Sequence, residues 1–309
     1  MLSIEMMGKR LYILLTLVLA SLAFTANAQQ DLLLSQEIFS RVNKNPAATG
    51  NSNDIDIFLH GRIQWYGLDN GPKTSVLNVT NYVEKIKSGF GLSFSYDCFG
   101  VAHTSTNAKL AYSFQLDLSE RYVLSLGLGS GVNIAGFDYT QNTFDDSRDY
   151  GSNDYPWEKK TELSPDFDFG FELSNPLWTV GASMTHLLNG ETTTFRTGRH
   201  IYAYWTSLFP VSDNFSLSPT VSFMYHDRTN VIEVGSLAFY KCLFWGGVSW
   251  RPDFHDKMNP SMLVFTLGFE KSRFRFGYSY DLGLGSENLL PKSSHEILLS
   301  YGIAKKGKR

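Results

Sequence analysis

Gly127-Leu128-Gly129-Ser130-Gly131 has the glycine density of a phosphate loop, where backbone N–H groups cradle an anion. That chemistry also needs a Lys-Ser/Thr pair and a following helix, and neither is present. Ser294-His295 sets a nucleophile beside a base. Neighbours in an extended chain point to opposite faces, so these two cannot act on one another. His226-Asp227 and His255-Asp256 are metal-ligand types, but they stand as isolated dipeptides in loop-like sequence. The stretch Gly136 to Leu163 holds seven acids, Asp138, Asp145, Asp146, Asp149, Asp154, Glu158 and Glu162, whose oxygens suit Ca²⁺. Its spacing lacks EF-hand order and the turn glycine, so a solvated loop accounts for it. Asn78-Val79-Thr80 matches a glycosylation sequon inside strand-like sequence. The sequence therefore predicts no catalytic residue, no metal site and no cofactor.

The elements that carry these residues read as strands. Phe90, Leu92, Phe94 and Tyr96 alternate with Gly89, Gly91, Ser93 and Ser95, and Leu124, Leu126 and Leu128 with Ser125, Gly127 and Gly129. Phe274, Phe276, Tyr278 and Tyr280 oppose Arg275, Gly277, Ser279 and Asp281. Strict period-2 alternation means one apolar and one polar face. A soluble β-sandwich would alternate too. The runs approach the ~9–11 residues of a tilted membrane strand, their polar face is mostly Gly, Ser and Thr, and aromatics close the apolar face. The fold class is all-β: a transmembrane outer-membrane β-barrel of 14 antiparallel strands. They begin near Asp54, Lys73, Ser88, Thr104, Arg121, Ser164, Leu177, Thr197, Asn214, Val231, Leu243, Ser261, Ser272 and Ser294. Connections after even strands are tight. Those after odd strands are mostly long, with His226 to Asn230 the exception. Outer-membrane barrels keep short turns in the periplasm, so both termini are expected there.

Composition agrees. The 309 residues carry 27 Lys and Arg against 30 Asp and Glu, a formal charge of -3, which excludes a generally basic nucleic-acid binder. Only 18% are charged and 15% aromatic, which excludes global disorder. Lys9-Arg10, the apolar run Leu11 to Phe24 and Ala26-Asn27-Ala28 form a secretory signal, with cleavage expected after Ala28. The run falls short of the roughly 20 residues a membrane helix needs. The expected organisation is a signal peptide over 1–28, a periplasmic or plug segment over 29–53, the barrel over 54–304 and a basic tail over 305–309. Asn45-Pro46 breaks regular structure just before the barrel. Cys98 and Cys242 fall at opposite barrel ends, so two free thiols are expected.

Several blocks carry a resemblance. They are Gln36 in the first segment, Asn45-Pro46-Ala47 with Gly50, Arg62-x-Gln64-Trp65 with Gly67, and Pro72-Lys73. Later come Trp245-Gly246 with Arg251, Gly277-Tyr278-Ser279-Tyr280-Asp281, and Ser294-His295-Glu296. In order and spacing the chain resembles the PorP/SprF family of type IX secretion outer-membrane proteins of the Bacteroidetes. Leu32-Leu33-Leu34 and Arg41-Val42-Asn43-Lys44 depart from the family's first block. The resemblance implies a non-enzymatic part of a protein-secretion and gliding-motility machine, acting as scaffold or as anchor for secreted cargo. It implies as partners periplasmic ring lipoproteins, a peptidoglycan-binding OmpA-like protein, the outer-membrane translocon, the C-terminal domains of cargo and outer-membrane lipid. A channel for small or apolar solutes is the competing function. A lumen of fourteen strands is too narrow for folded cargo.

Overall fold

A computed structural model describes residues 34–100, 102–138, 159–188, 190–191, 196–226, 229–252, 261–284 and 293–305. The signal stretch, most of the acid-rich stretch, Asp227, His255-Asp256 and the last four residues lie outside these. Alternating sequence folds into β1 (Ile55–Ile63), β2 (Lys73–Val83), β3 (Ser88–Phe99), β4 (His103–Asp117), β5 (Val123–Asp138), β6 (Lys159–Ser174) and β7 (Trp178–Thr185). The wall continues with β8 (His200–Ser207), β9 (Phe215–His226), β10 (Thr229–Tyr240), β11 (Phe244–Arg251), β12 (Met262–Lys271), β13 (Phe274–Gly283) and β14 (Ser293–Ile303). Phe209–Ser212 prolongs β8 against β9 across a register shift. Each strand pairs antiparallel with its neighbour, and β1 pairs with β14 from Ile55 opposite Ile303 to Ile63 opposite His295. The fourteen-stranded barrel is therefore closed and has no edge along its pairing direction.

Closure fixes the two faces. Outward side chains form an apolar belt that includes Leu92, Leu110, Leu128, Phe169 and Leu267, all exposed. A continuous belt of this kind needs lipid against it. No helix among the described residues is long and apolar enough to cross a membrane. Inward positions are mostly small or polar, with large apolar side chains such as Phe58, Val76, Trp245 and Leu298 buried among them.

Strands start within three residues of the places that alternation marks, except β6, which starts five residues early at Lys159. Lys159 to Leu163 pair with Asp138 to Ile134 in charged sequence. Hydrophobic alternation reports only the stretch that faces lipid. It is silent where a ladder runs on into water, so the sequence placed this pairing in a loop. Cys98 sits near the end of β3 and Cys242 in the turn before β11, and both are free. The end with tight turns after even strands also holds the start of β1 and the end of β14. The opposite end holds the longer connections.

Candidate functional site: the N-terminal segment inside the barrel

Residues 34–53 run through the lumen before entering β1. Their local structure is two short 3₁₀ turns, Glu37–Phe39 and Pro46–Ala48. Asn45 caps the second, its Oδ1 accepting from Ala47 N–H at 2.9 Å, with Pro46 at the first helical position, where no N–H is needed. Gln36, Asn45, Ala47 and Thr49 are fully buried.

One end of the segment is held by an ion network on β1, β10, β11, β13 and β14. Arg62 donates to Asp281 at 2.6 Å and to Glu296 at 3.3 Å. Arg251 donates to the same Asp281 at 3.1 Å and to Glu233 at 2.6 Å. The segment closes the network: Ser35 N–H and Gln36 N–H donate to the two oxygens of Glu296 at 2.7 and 2.9 Å. Ser35 Oγ donates to Asp281 at 2.9 Å and accepts from both guanidiniums. His60 Nδ1 lies 3.8 Å from Glu296. Arginine stays charged in a protein, so burial of Arg62 and Arg251 is tolerable only with these carboxylates beside them.

A second network holds the middle of the segment. Arg41 meets Glu172 on β6 in a two-pronged pair at 3.1 and 3.2 Å. Tyr204 on β8 and Asn51 also donate to Glu172, at 2.5 and 2.8 Å. Asn45 Nδ2 donates to Tyr204 Oη and Phe171 O, each at 2.9 Å. Single bonds spread the attachment around the wall. Asn78 donates to Ser40 at 2.8 Å, Ser93 to Asn43 at 2.7 Å and Ser113 to Thr49 O at 2.6 Å. Phe39 packs on Trp245 at 4.9 Å, with the Arg275 guanidinium 4.6 Å over its ring.

Wall glycines make room. A Cβ at Gly127 would overlap the backbone of Pro46-Ala47, and one at Gly277 would overlap Gln36. Of the glycine-rich stretch of β5, Gly127 thus seats the segment's backbone, while Gly129 lies against Asp168 and Gly131 against Lys109.

The signature residues divide by face. Gln36, Arg62, Arg251, Gly277, Asp281 and Glu296 converge on the first network, and Asn45, Pro46 and Ala47 on the second. Trp245, Ser279 and Ser294 also point inward and are buried. Gly50 approaches Gly89 with φ of 74°. Gly246, Tyr278, Tyr280 and His295 face outward, with Tyr278 Oη 2.7 Å from His295 Nδ1. Ser294 and His295 therefore lie on opposite sides of the wall. Gln64, Trp65, Gly67, Pro72 and Lys73 cluster at the β1–β2 connection, where Trp65 and Gly67 take positive φ. Asn78 of the sequon is fully buried in the lumen.

Residue types alone gave no sign of Arg41, Glu172, Tyr204 or Glu233. Nor did they mark the group of Lys109, Asp166 and Asp168, where the ammonium lies 2.9 and 2.8 Å from the carboxylates. The available signal was a charged residue at an inward position of an otherwise small-residue face. Beside the segment, at the tight-turn end, a cavity of about 290 Å³ is lined by Phe39, Arg41, Asp54, Asp56, Glu270 and Arg275 among others. Among the described residues no group of three or more His, Cys, Asp or Glu is placed to hold a metal.

Residues 26–301 match the family model described as type IX secretion system membrane protein PorP/SprF. No curated protein matches the chain. Among solved structures the chain is similar to the Pseudomonas putida toluene transporter TodX, with 10% identity, TM-score 0.50, and coverage of 91% of this chain and 96% of that one. It is also similar to a Pseudomonas aeruginosa FadL homologue, with 10% identity, TM-score 0.48, and coverage of 84% and 93%. At such identities the likeness is one of fold: an outer-membrane barrel.

Proposed function

The chain belongs to the PorP/SprF family of type IX secretion system membrane proteins, and on that premise we propose that it serves secretion as a non-conducting, non-enzymatic scaffold or cargo anchor in the outer membrane. Membership implies interaction with other components of that system. The observation that carries the reading is the inner segment, tied across the lumen by the Ser35–Glu296 and Arg41–Glu172 networks. A barrel of this size passes at most small solutes even when empty, and here its own chain occupies the bore. The work then falls to the two ends. In this reading both termini and the tight turns face the periplasm, toward ring lipoproteins and the peptidoglycan-binding partner. The longer connections face outward, toward the translocon and the C-terminal domains of cargo. Residues 34–53 act as a fixed plug, and the signature residues of the first network act as its clamp.

Deleting the gene and following type IX cargo tests this. The expected result is cargo trapped in the periplasm or shed into the medium, with small-solute uptake unchanged. Periplasmic trapping marks a general secretion component, and shedding marks an anchor. Normal display of cargo together with failed uptake of a solute would replace this reading with the channel.

A further inference from the structure

The cavity of about 290 Å³ at the tight-turn end has walls of two origins. One is the inner segment, through Phe39, Arg41, Asn51 and Ser52. The other is the barrel mouth, where β1, β12, β13 and β14 supply Asp56, Glu270, Arg275 and Gly302. Its ionic groups are paired with one exception. Arg41 meets Glu172 at 3.1 Å, Arg273 meets Asp54 at 3.1 Å and Arg275 meets Glu270 at 2.5 Å. Half-buried Asp56 has no ion pair among the described residues. Arg275 and Lys305 act on it through space, from beyond contact distance. The cavity is thus one positive charge short, and a carboxylate drawn out of water calls for a counter-ion. Gly302 stands opposite Asp56 in the β1–β14 ladder. A Cβ on Gly302 would lie 3.4 Å from Asp56 Oδ1 and 3.3 Å from Asp54 Oδ2, so both carboxylates overhang the last turn of chain in the wall. β14 ends one residue later, at Ile303. Lys305 then donates to Tyr82 O on β2, so its side chain crosses the start of β1. Beyond it the sequence runs Lys306-Gly307-Lys308-Arg309.

We infer that the basic stretch 306–309 folds back across the mouth into this cavity, sets a lysine ammonium against Asp56, and so straps the inner segment in place from the tight-turn end. Reach, charge and shape all fit. Four residues span up to about 14 Å, and the chain leaves the wall at the lip of the cavity. Three of the four carry the charge that the cavity lacks. Gly307 gives the chain freedom to reverse. Phe39 and Phe58 line the cavity and offer apolar surface to a lysine stem whose ammonium stays at the carboxylate. A basic segment from a second copy or another protein would have the same chemistry, but the tether holds the chain's own tail at an effective concentration of order millimolar. The inference goes beyond the secretion reading and does not rest on it. Cavity and tail lie at the same end of the barrel, so it holds whichever side of the membrane that end faces.

The strap is tested in the purified full-length barrel with a zero-length carbodiimide, which joins a carboxylate to an amine only where the two touch. Mass spectrometry of chymotryptic peptides from the monomer band should find Asp56 joined to Lys306 or Lys308. Asp56 joined to Lys305 alone, joined to another copy or another protein, or not joined at all overturns the inference. Hydrogen exchange then reads the effect on the segment. Deleting 306–309 should speed exchange over residues 39–42 at least about threefold and leave β3 unchanged. Asp56→Asn should speed it to the same extent, and the deletion made in the Asp56→Asn background should add nothing, because the two changes remove one contact. Unchanged exchange after the deletion, or effects that add, sinks the strap.

Discussion

Asp281 is the residue on which the first network turns, because two guanidiniums share it. Asp281→Asn keeps the shape and removes the charge, leaving Arg62 and Arg251 short of an anion in a buried site. Breaking a buried pair in this way costs roughly 3–5 kcal/mol. The variant should unfold at markedly lower denaturant, read as loss of the heat-modifiable folded band in detergent. Lys87→Ala removes an exposed pair with Asp117, whose side chains are 53% and 56% accessible, and should shift stability by at most ~1 kcal/mol. Equal effects of the two would mean that the lumen network is not under load. Arg62, Arg251, Asp281 and Glu296 on the wall were legible through family blocks, but Glu233 and the pairings were not. Arg41 and Glu172 are 131 positions apart, and nothing in either neighbourhood signals the other.

At the scale of strands, the alternation in β3 makes a clear test of register. Phe94 faces lipid, at 47% exposed, and Ser95 faces the lumen. Phe94→Arg near the bilayer midplane should cost roughly 2–4 kcal/mol and sharply lower folding yield, whereas Ser95→Arg should fold nearly as well. The reverse order would invert the two faces. Lumen positions are not uniformly roomy, since Ser125 on β5 is only 2% accessible, so a charge there would meet protein instead of water. The inner segment is tested by a bridge. Ser40 and Asn78 contact at 2.8 Å, so Ser40→Cys with Asn78→Cys should form a disulfide without loss of cargo display. Display that returns only on reduction would show that the segment must leave the lumen. The strands were legible because a face against lipid imposes period 2. Of the segment, only its place before the barrel and the break at Asn45-Pro46 were legible; its path was not, because a chain inside a barrel has no periodicity of its own and is ordered by the wall around it.

For the whole molecule the distinguishing feature is a difference between ends. A protease site or epitope at Ser152-Asn153, within the long connection after β5, should be reachable on intact cells, and one after Lys308 should not. Protection of the first would reverse the orientation on which cargo docking depends. Intact mass of the membrane-extracted protein should begin at Gln29, and retention of Leu11 to Phe24 would refute cleavage. Strand number, antiparallel order and the parity of the connections were set by the sequence alone, since each follows from local rules: two faces per strand, turns between them and lipid on one side. Tertiary structure decided what fills the barrel and where, among the described residues, a strand rises unpaired past its neighbour, as β6 does past β7 and β10 past β11. Closure brings Arg62, Arg251, Asp281 and Glu296 from four distant strands to within hydrogen-bond reach of Ser35. The free side of β6 exists only because β7 stops short of it. Both are properties of register between segments far apart in the chain, and a local pattern carries no information about its partner's length or place.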